Sequence, residues 1–356
     1  MLPRISVSLV ITLILSAVVV AQQDSFLIGG LMRSYIVYAP SGISNPALVI
    51  NMHGLGSNAA QQRAYTQFDK IADREKFIVV YPNGVSNSWD ITANRDVTFI
   101  LALIDTINAQ YKIDRSRVYA TGMSMGGYMS HRLGCAAAGV IAAIAPVSGL
   151  NASYNCAPVR PMPVLQIHGT ADSTVKYSGV AATISGWVFK NGCPPTPQLT
   201  SPYPASNPNS KVRKDYYGPC SQNSEVILLT VEGGGHAWPG GLGLASDINA
   251  SEEIWAFFKN HSLLSAVLYG IESACNYRSG ISIGYYTGKI RVSGVHGLRS
   301  MSILDARGRL ASTLEENAFV LHDNCQEAAF DISGKGVYLV IVKTNAGTKA
   351  TRMVVQ

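Results

Sequence analysis

The stretch "RVYATGMSMGGYMSHRLGC" (117–135) constrains this chain more than any other. An apolar, β-branched run halts at Gly122 and a helix-like run follows almost at once, with Ser124 in the turn and a glycine two positions away on each side. A strand that feeds a helix through so short a turn must pass close to its neighbours. It leaves no room for side chains at 122 and 126, and it lifts the serine hydroxyl above the sheet at the positive end of the helix. Two readings compete: a small-residue turn that only packs a helix onto a sheet, and a nucleophile on a strained backbone.

The surroundings of that turn suit a sheet buried on both faces. Short apolar runs at 47–53, 77–82, 117–122, 141–148, 163–169 and 225–231 read as strands. Helical stretches lie between several of them. The run 96–111 places Phe99, Leu103 and Ile107 on one face, and 251–261 has Asn249 or Ser251 to cap it. Continuous apolar strands alternating with helices imply a mostly parallel sheet covered on both sides. The proline-rich 194–210 reads as a surface excursion. After 262 the texture changes to short alternating runs punctuated by glycine and asparagine, ending in a hairpin around "NAG" (345–347). The expected organisation is a leader at 1–21, an α/β domain at 22–262, a linker at 263–272 and a small all-β, sandwich-like module at 273–356.

A serine hydroxyl is a weak nucleophile at neutral pH and needs a base, itself oriented by a third group. In a fold of this kind the chain order is serine, acid, histidine. Among the later histidines, His236 sits in the glycine loop "EGGGHAWPGG" directly after the strand-like "VILLTV". Asp172 in "HGTAD" follows the strand-like "PVLQIHG", in the kind of loop where such sites assemble. Asp215 and Glu232 compete for the acid's place; the first borders the proline-rich excursion and the second is too near His236 in sequence. A tetrahedral intermediate needs two donors for its oxyanion. The backbone N–H of Met125 is one, and the N–H of Leu55 in "NMHGLGSN" (51–58) is the expected second. His53 beside it reads as a scaffold hydrogen-bonder. Trp89 and Trp238 stand in loops next to these residues, either lining an acyl pocket or packing the loops. With all members of the constellation present, the nucleophile reading of Ser124 prevails.

The first residues carry one arginine and then an apolar run from Val7 to Val20, which reads as a secretory signal cut after Ala21. No membrane span is expected after cleavage. Six cysteines (135, 156, 193, 220, 275, 325) suit export and lack the CxxC spacing of zinc or redox sites. Sequential pairing is expected: 135 with 156, 193 with 220, 275 with 325. A net charge of +6, scattered singly or in pairs, gives no nucleic-acid footprint. No metal or organic cofactor is expected.

Taken together, "HGLGSN", "YPNGVSNSWD", "ATGMSMGG", "APVSG", "HGTAD" and "GGGHAWPG" resemble the secreted α/β-hydrolase esterases that group feruloyl and acetylxylan esterases with polyhydroxybutyrate-depolymerase-like proteins. The resemblance covers roughly 28–262. It implies Ser124, Asp172 and His236 as the triad, pairing of Cys193 with Cys220, and an ester-decorated polysaccharide as the partner. Many relatives carry cysteine where this chain has Leu55, and depolymerases differ between Ser124 and Gly126, which weakens a polyester reading. The "GGY" after the serine also occurs in prolyl-oligopeptidase-like peptidases, whose large extra domain is absent from this chain. A polysaccharide-binding protein on a retired hydrolase scaffold is the non-enzymatic alternative. The last segment, "ILDARGR" and "GKGVYLVIVKTNAGTKATRMVVQ", resembles C-terminal sorting domains of bacterial type IX secretion, which implies contact with secretion machinery and a cell-surface or extracellular location. Its bland alternative is an accessory polysaccharide-binding module, with Tyr285 and Tyr286 as contacts.

Overall fold

A computed structural model describes residues 21–152 and 156–263 and, between 282 and 355, the strands named below. The chain divides into two compact units, 1–263 and 264–356. The expected leader, the linker beyond Leu263, and Cys275, the expected partner of Cys325, lie outside the described residues.

The first unit is built on a ten-stranded sheet: β1 (Gln22–Ile28), β2 (Leu31–Tyr38), β3 (Leu48–Met52), β4 (Ile78–Pro82), β5 (Val118–Met123), β6 (Ala143–Val147), β7 (Val164–Gly169), β8 (Gln198–Thr200), β9 (Val212–Tyr217) and β10 (Val226–Val231). Their order across the sheet is β1-β2-β4-β3-β5-β6-β7-β10-β9-β8. From β4 through β10 the neighbours run parallel, while β1, β2, β9 and β8 add antiparallel borders. The six apolar runs read from the sequence correspond to β3, β4, β5, β6, β7 and β10.

Burial on both faces explains why those runs are continuous rather than alternating. Leu48, Ile50, Val118 and Ala120 feed one apolar cluster, and their neighbours Val49 and Tyr119 feed the other. The first face is covered by α3 (Arg95–Tyr111), α4 (Met125–Ala136) and α5 (Val180–Lys190). The second is covered by α1 (Ala59–Thr66), α2 (Phe68–Glu75) and α6 (Ala250–Phe258). In α3, Phe99, Ile100, Leu103, Ile104 and Ile107 recur at helical spacing and are wholly buried, each side chain contributing roughly 1.5–3 kcal/mol. Asn249 caps α6, its side chain accepting from the Glu252 N–H. Cys135–Cys156 and Cys193–Cys220 are disulfides. Within the expected surface excursion at 194–210 lies β8, a short exposed border strand.

The second unit holds β11 (Ser282–Tyr286), β12 (Lys289–Gly294), β13 (Leu298–Asp305), β14 (Leu310–Glu315), β15 (Val320–His322), β16 (Cys325–Asp331), β17 (Gly336–Thr344) and β18 (Gly347–Val355). They form two four-stranded sheets, β11-β12-β16-β15 and β14-β13-β17-β18, with antiparallel pairing throughout. The terminal hairpin is β17–β18, closing at Thr344 opposite Gly347.

Candidate active site

Ser124 caps the N-terminus of α4 with φ +54° and ψ −118°, a left-handed backbone that costs a non-glycine residue about 1–3 kcal/mol. Close packing holds it there. A Cβ on Gly126 would land on the Met52 carbonyl, and one on Gly122 would lie 2.5 Å from the same oxygen. Strand β3 therefore presses directly against the turn. The Ser124 N–H donates to Val147 O at 2.9 Å, tying the turn to β6 as well. Ser124, Asp172 and His236 all lie in loops that leave the C-terminal ends of parallel strands, β5, β7 and β10 in turn.

The acid and the imidazole meet. His236 Nδ1 donates to Asp172 Oδ2 at 2.8 Å, while Asp172 Oδ1 accepts from the Thr174 and Val175 N–H groups at 2.9 and 2.8 Å. The Asp172 side chain is fully buried, whereas that of His236 is 20% exposed. Burial works to raise the Asp172 carboxyl, but the His236 hydrogen bond, the two backbone donors and the His236 charge outweigh it and hold it below the usual range. Tyr128, one turn along α4 from Ser124, is raised by burial first and then by the Asp172 charge.

The loops that carry the pair are stitched together. Ala171 N–H donates to Gly234 O and Gly233 N–H donates to Thr170 Oγ1. A Cβ on Gly169 would strike the Gly234 carbonyl, which is why glycines stand at this crossing. On its other side the His236 loop is fastened to α1: the Trp238 N–H donates to Tyr65 Oη at 3.0 Å, and the Leu242 N–H to Tyr65 O at 2.9 Å.

The competing acids are engaged elsewhere. Asp215 receives two hydrogen bonds from Arg213 on β9, and Glu232 is exposed, with its N–H given to Lys211 O.

The loop 53–58 lies beside the elbow: a Cβ on Gly54 would be 3.4 Å from Ser124 Cβ. Gly56 N–H→Asn87 O and Ser57 N–H→Gly54 O close this loop, bonds that leave out the N–H of Leu55, whose side chain is exposed. Met125 is the first residue of α4, so its N–H belongs to the group a helix leaves without an intrahelical acceptor. His53 is wholly buried; its Nδ1 donates to Gly54 O and its Nε2 accepts from the Gly84 N–H. Burial above all holds its pKa down, so it braces the loop as a neutral ring.

Of the two readings for the tryptophans, the contacts describe loop packing. Trp89 is 2% exposed and donates to His53 O; Trp238 is fully buried and donates to Ser251 Oγ. Neither ring offers solvent an acyl-binding wall. Nothing local in the sequence marks Tyr65 as the residue that holds the distant His236 loop.

A family model described as Esterase PHB depolymerase matches residues 33–186. A probable feruloyl esterase C of Aspergillus clavatus is 31% identical over 234 residues, spanning 64% of this chain and 83% of its own length. The chain belongs to this family of esterases. A bifunctional acetylxylan esterase/xylanase, XynS20E of Neocallimastix patriciarum, is 34% identical over 212 residues; the match spans 58% of this chain but only 31% of that esterase–xylanase. Among solved structures, an acetyl xylan esterase from Aspergillus awamori superposes with a TM-score of 0.54 at 17% identity, covering 67% of this chain and 99% of its own. That likeness shows the fold, an α/β-hydrolase with a mostly parallel central sheet. Among the described residues of this esterase-family chain, no helix is long and apolar enough to cross a membrane.

Proposed function

We propose that this chain is a secreted serine esterase that hydrolyses carboxylic esters on plant cell-wall polysaccharide, feruloyl esters foremost, through an acyl-enzyme. The observation that carries this reading is the 2.8 Å bond from His236 Nδ1 to a buried, ionised Asp172, in loops above the same sheet as the strained Ser124. With Nδ1–H committed to the carboxylate, His236 Nε2 is the free base. Ser124 Oγ attacks the ester carbonyl carbon as Nε2 takes its proton; Nε2–H then protonates the departing alcohol. Water repeats the sequence on the acyl-serine and releases the acid. Asp172 remains a carboxylate and stabilises the imidazolium. The Met125 and Leu55 N–H groups receive the oxyanion, each donor worth about a hundred- to a thousandfold in rate.

The family and the feruloyl esterases among its relatives support an ester substrate on polysaccharide, and the acetylxylan esterase relative supports acetate as the second acyl group. The disulfides Cys135–Cys156 and Cys193–Cys220 support export. We assign 264–356 the part of a sorting or accessory module on a bacterial surface, which predicts that deleting 273–356 spares turnover of soluble esters while changing export or retention. The deciding assay compares methyl ferulate, acetylated xylan, short-chain nitrophenyl esters and a peptide amide. Ester turnover that vanishes in Ser124→Ala is expected. Activity confined to the amide, or a Ser124→Ala variant as active as the parent, overturns the assignment.

A further inference from the structure

His168 lies four residues before Asp172, wholly buried, at the end of β7. Its Nε2 is 2.7 Å from Val175 O, an atom that only accepts, so Nε2 carries the proton and Nδ1 is a lone pair. Gln166 Nε2 lies 3.3 Å from that lone pair and also donates to Gly149 O. Gln166 Oε1 in turn accepts from His131 Nε2 at 3.0 Å, and His131 Nδ1 accepts from the Trp187 indole N–H at 3.0 Å. An indole that only donates and a carbonyl that only accepts therefore fix the polarity of every bond between them. The chain starts on α5, crosses α4 and β7, and ends on the turn that presents the acid.

The same His168 Nε2 stands 3.4 Å from Asp172 Oδ2, the oxygen that receives His236 Nδ1. The carboxylate is thus set between a partly exposed imidazole and a buried one, with its other oxygen held by the 174 and 175 N–H groups. The titratable groups around His168 are Asp172, His236, His131 beyond Gln166, and Tyr177, whose ring packs edge-on at 6.0 Å and whose hydroxyl is bonded to Thr230 Oγ1. A proton added at Nδ1 would confront the Gln166 amide with a second donor, so the chain holds together only while His168 is neutral; its lowered pKa, set first by burial, agrees.

We infer that His168 is a positioning residue: a neutral imidazole, oriented from Trp187 through His131 and Gln166, that fixes the 172–175 turn and aims the Asp172 carboxylate at His236. This inference rests on the esterase reading for its kinetic consequence only. It acts through Asp172, and that distinguishes it from a residue that merely fills space.

The test uses the full chain with His168→Phe, which keeps a ring and removes both nitrogens, and His168→Met should the first not fold. His168→Gln, which keeps a donor toward Val175 O, is the conservative comparison. On nitrophenyl acetate, kcat of the folded Phe or Met variant falls about 10- to 100-fold with KM little changed, the size expected of a misaimed group. The acid limb of the kcat/KM profile moves to lower pH, because the imidazolium loses its well-placed carboxylate, and His168→Gln recovers most of both. In an Asp172→Asn background the same replacement costs nothing further in kcat. The inference is overturned if a folded His168→Phe or His168→Met keeps the parent's kcat and pH limb, or if its loss is undiminished in Asp172→Asn. An NMR titration of His236 in parent and variant reads the same shift without turnover, so a chain with no ester activity would sink the function and still decide this point.

Discussion

The Ser124 side and the Asp172–His236 side of the candidate site are held by opposite means. Around Ser124 the restraint is steric: Gly122 and Gly126 lie against the β3 backbone, and a Cβ on Gly127 would come 2.9 Å from Val147 O. Around Asp172 and His236, apart from the backbone crossing of Gly169 and Gly234, the restraint is polar, a set of directed hydrogen bonds through groups that titrate. The packing of the elbow itself is intolerant of added volume, with His53 in the loop beside it as a titrating neighbour. The second side accepts volume at places but depends on protonation. A strained backbone needs contacts that cannot yield, whereas the proposed base needs a partner fixed in direction and a ring free enough to turn.

The largest effect expected from this contrast is at Gly126. Alanine there would overlap the Met52 and His53 carbonyl groups, which are backbone and cannot step aside, at a cost on the order of 4 kcal/mol or more. Loss of soluble, cooperatively melting protein is the expected readout, and a stable, active Gly126→Ala would break the comparison. Next comes acidification. His53, His131 and His168 are each held below their ordinary pKa, chiefly by burial, with His131 pushed down to about 4. Each binds a proton more readily unfolded, so stability is complete above about pH 6.5 and drains as pH falls toward 4, His131 alone contributing about 3 kcal/mol. Urea midpoints between pH 7 and 4 check this, and a flat profile would show that the polar side is not a protonation-dependent brace. A smaller loss, about 1 kcal/mol, is expected for Trp238→Phe, which forfeits the bond to Ser251 while leaving the backbone tie to Tyr65 in place; thermal melting measures it. Smallest is Gly235→Ala, next to His236, where a Cβ meets open space; melting should change by no more than about 0.5 kcal/mol. If it costs as much as Gly126→Ala, the two sides are not different in kind.

What could be read from the sequence follows the same divide. The parallel core was legible because strands buried on both faces are written as unbroken apolar runs, as in "LVINM" and "VILLTV". The borders were not. β1 is exposed along most of its length, and β9 mixes Arg213, Lys214 and Asp215 into its run, so neither shows the apolar signature. Helix α5, "VAATISGWVFK", hides behind a glycine and β-branched residues that favour helices weakly. At the site, the glycines of the elbow have a local cause and a local pattern. The pairing of Asp172 with His236 could be reasoned from chain order, because loops at the ends of parallel strands converge. The burial of Trp89 and Trp238 could not, since a tryptophan beside a loop looks the same in sequence whichever way it turns. The chain from Trp187 to His168 was equally hidden: its members lie 35 and 56 residues apart and meet only because β7 is central.

The glycine crossing between 169 and 234 has a practical reach. Because two main chains touch there, backbone contact fixes the approach of the 169–172 and 233–236 loops. The stretch 242–246, with its outward-facing leucines at 242 and 244, hangs just beyond that clamp and is fastened by backbone bonds of its own. Side-chain replacements at 242 and 244 are therefore expected to leave the bond between His236 and Asp172 undisturbed.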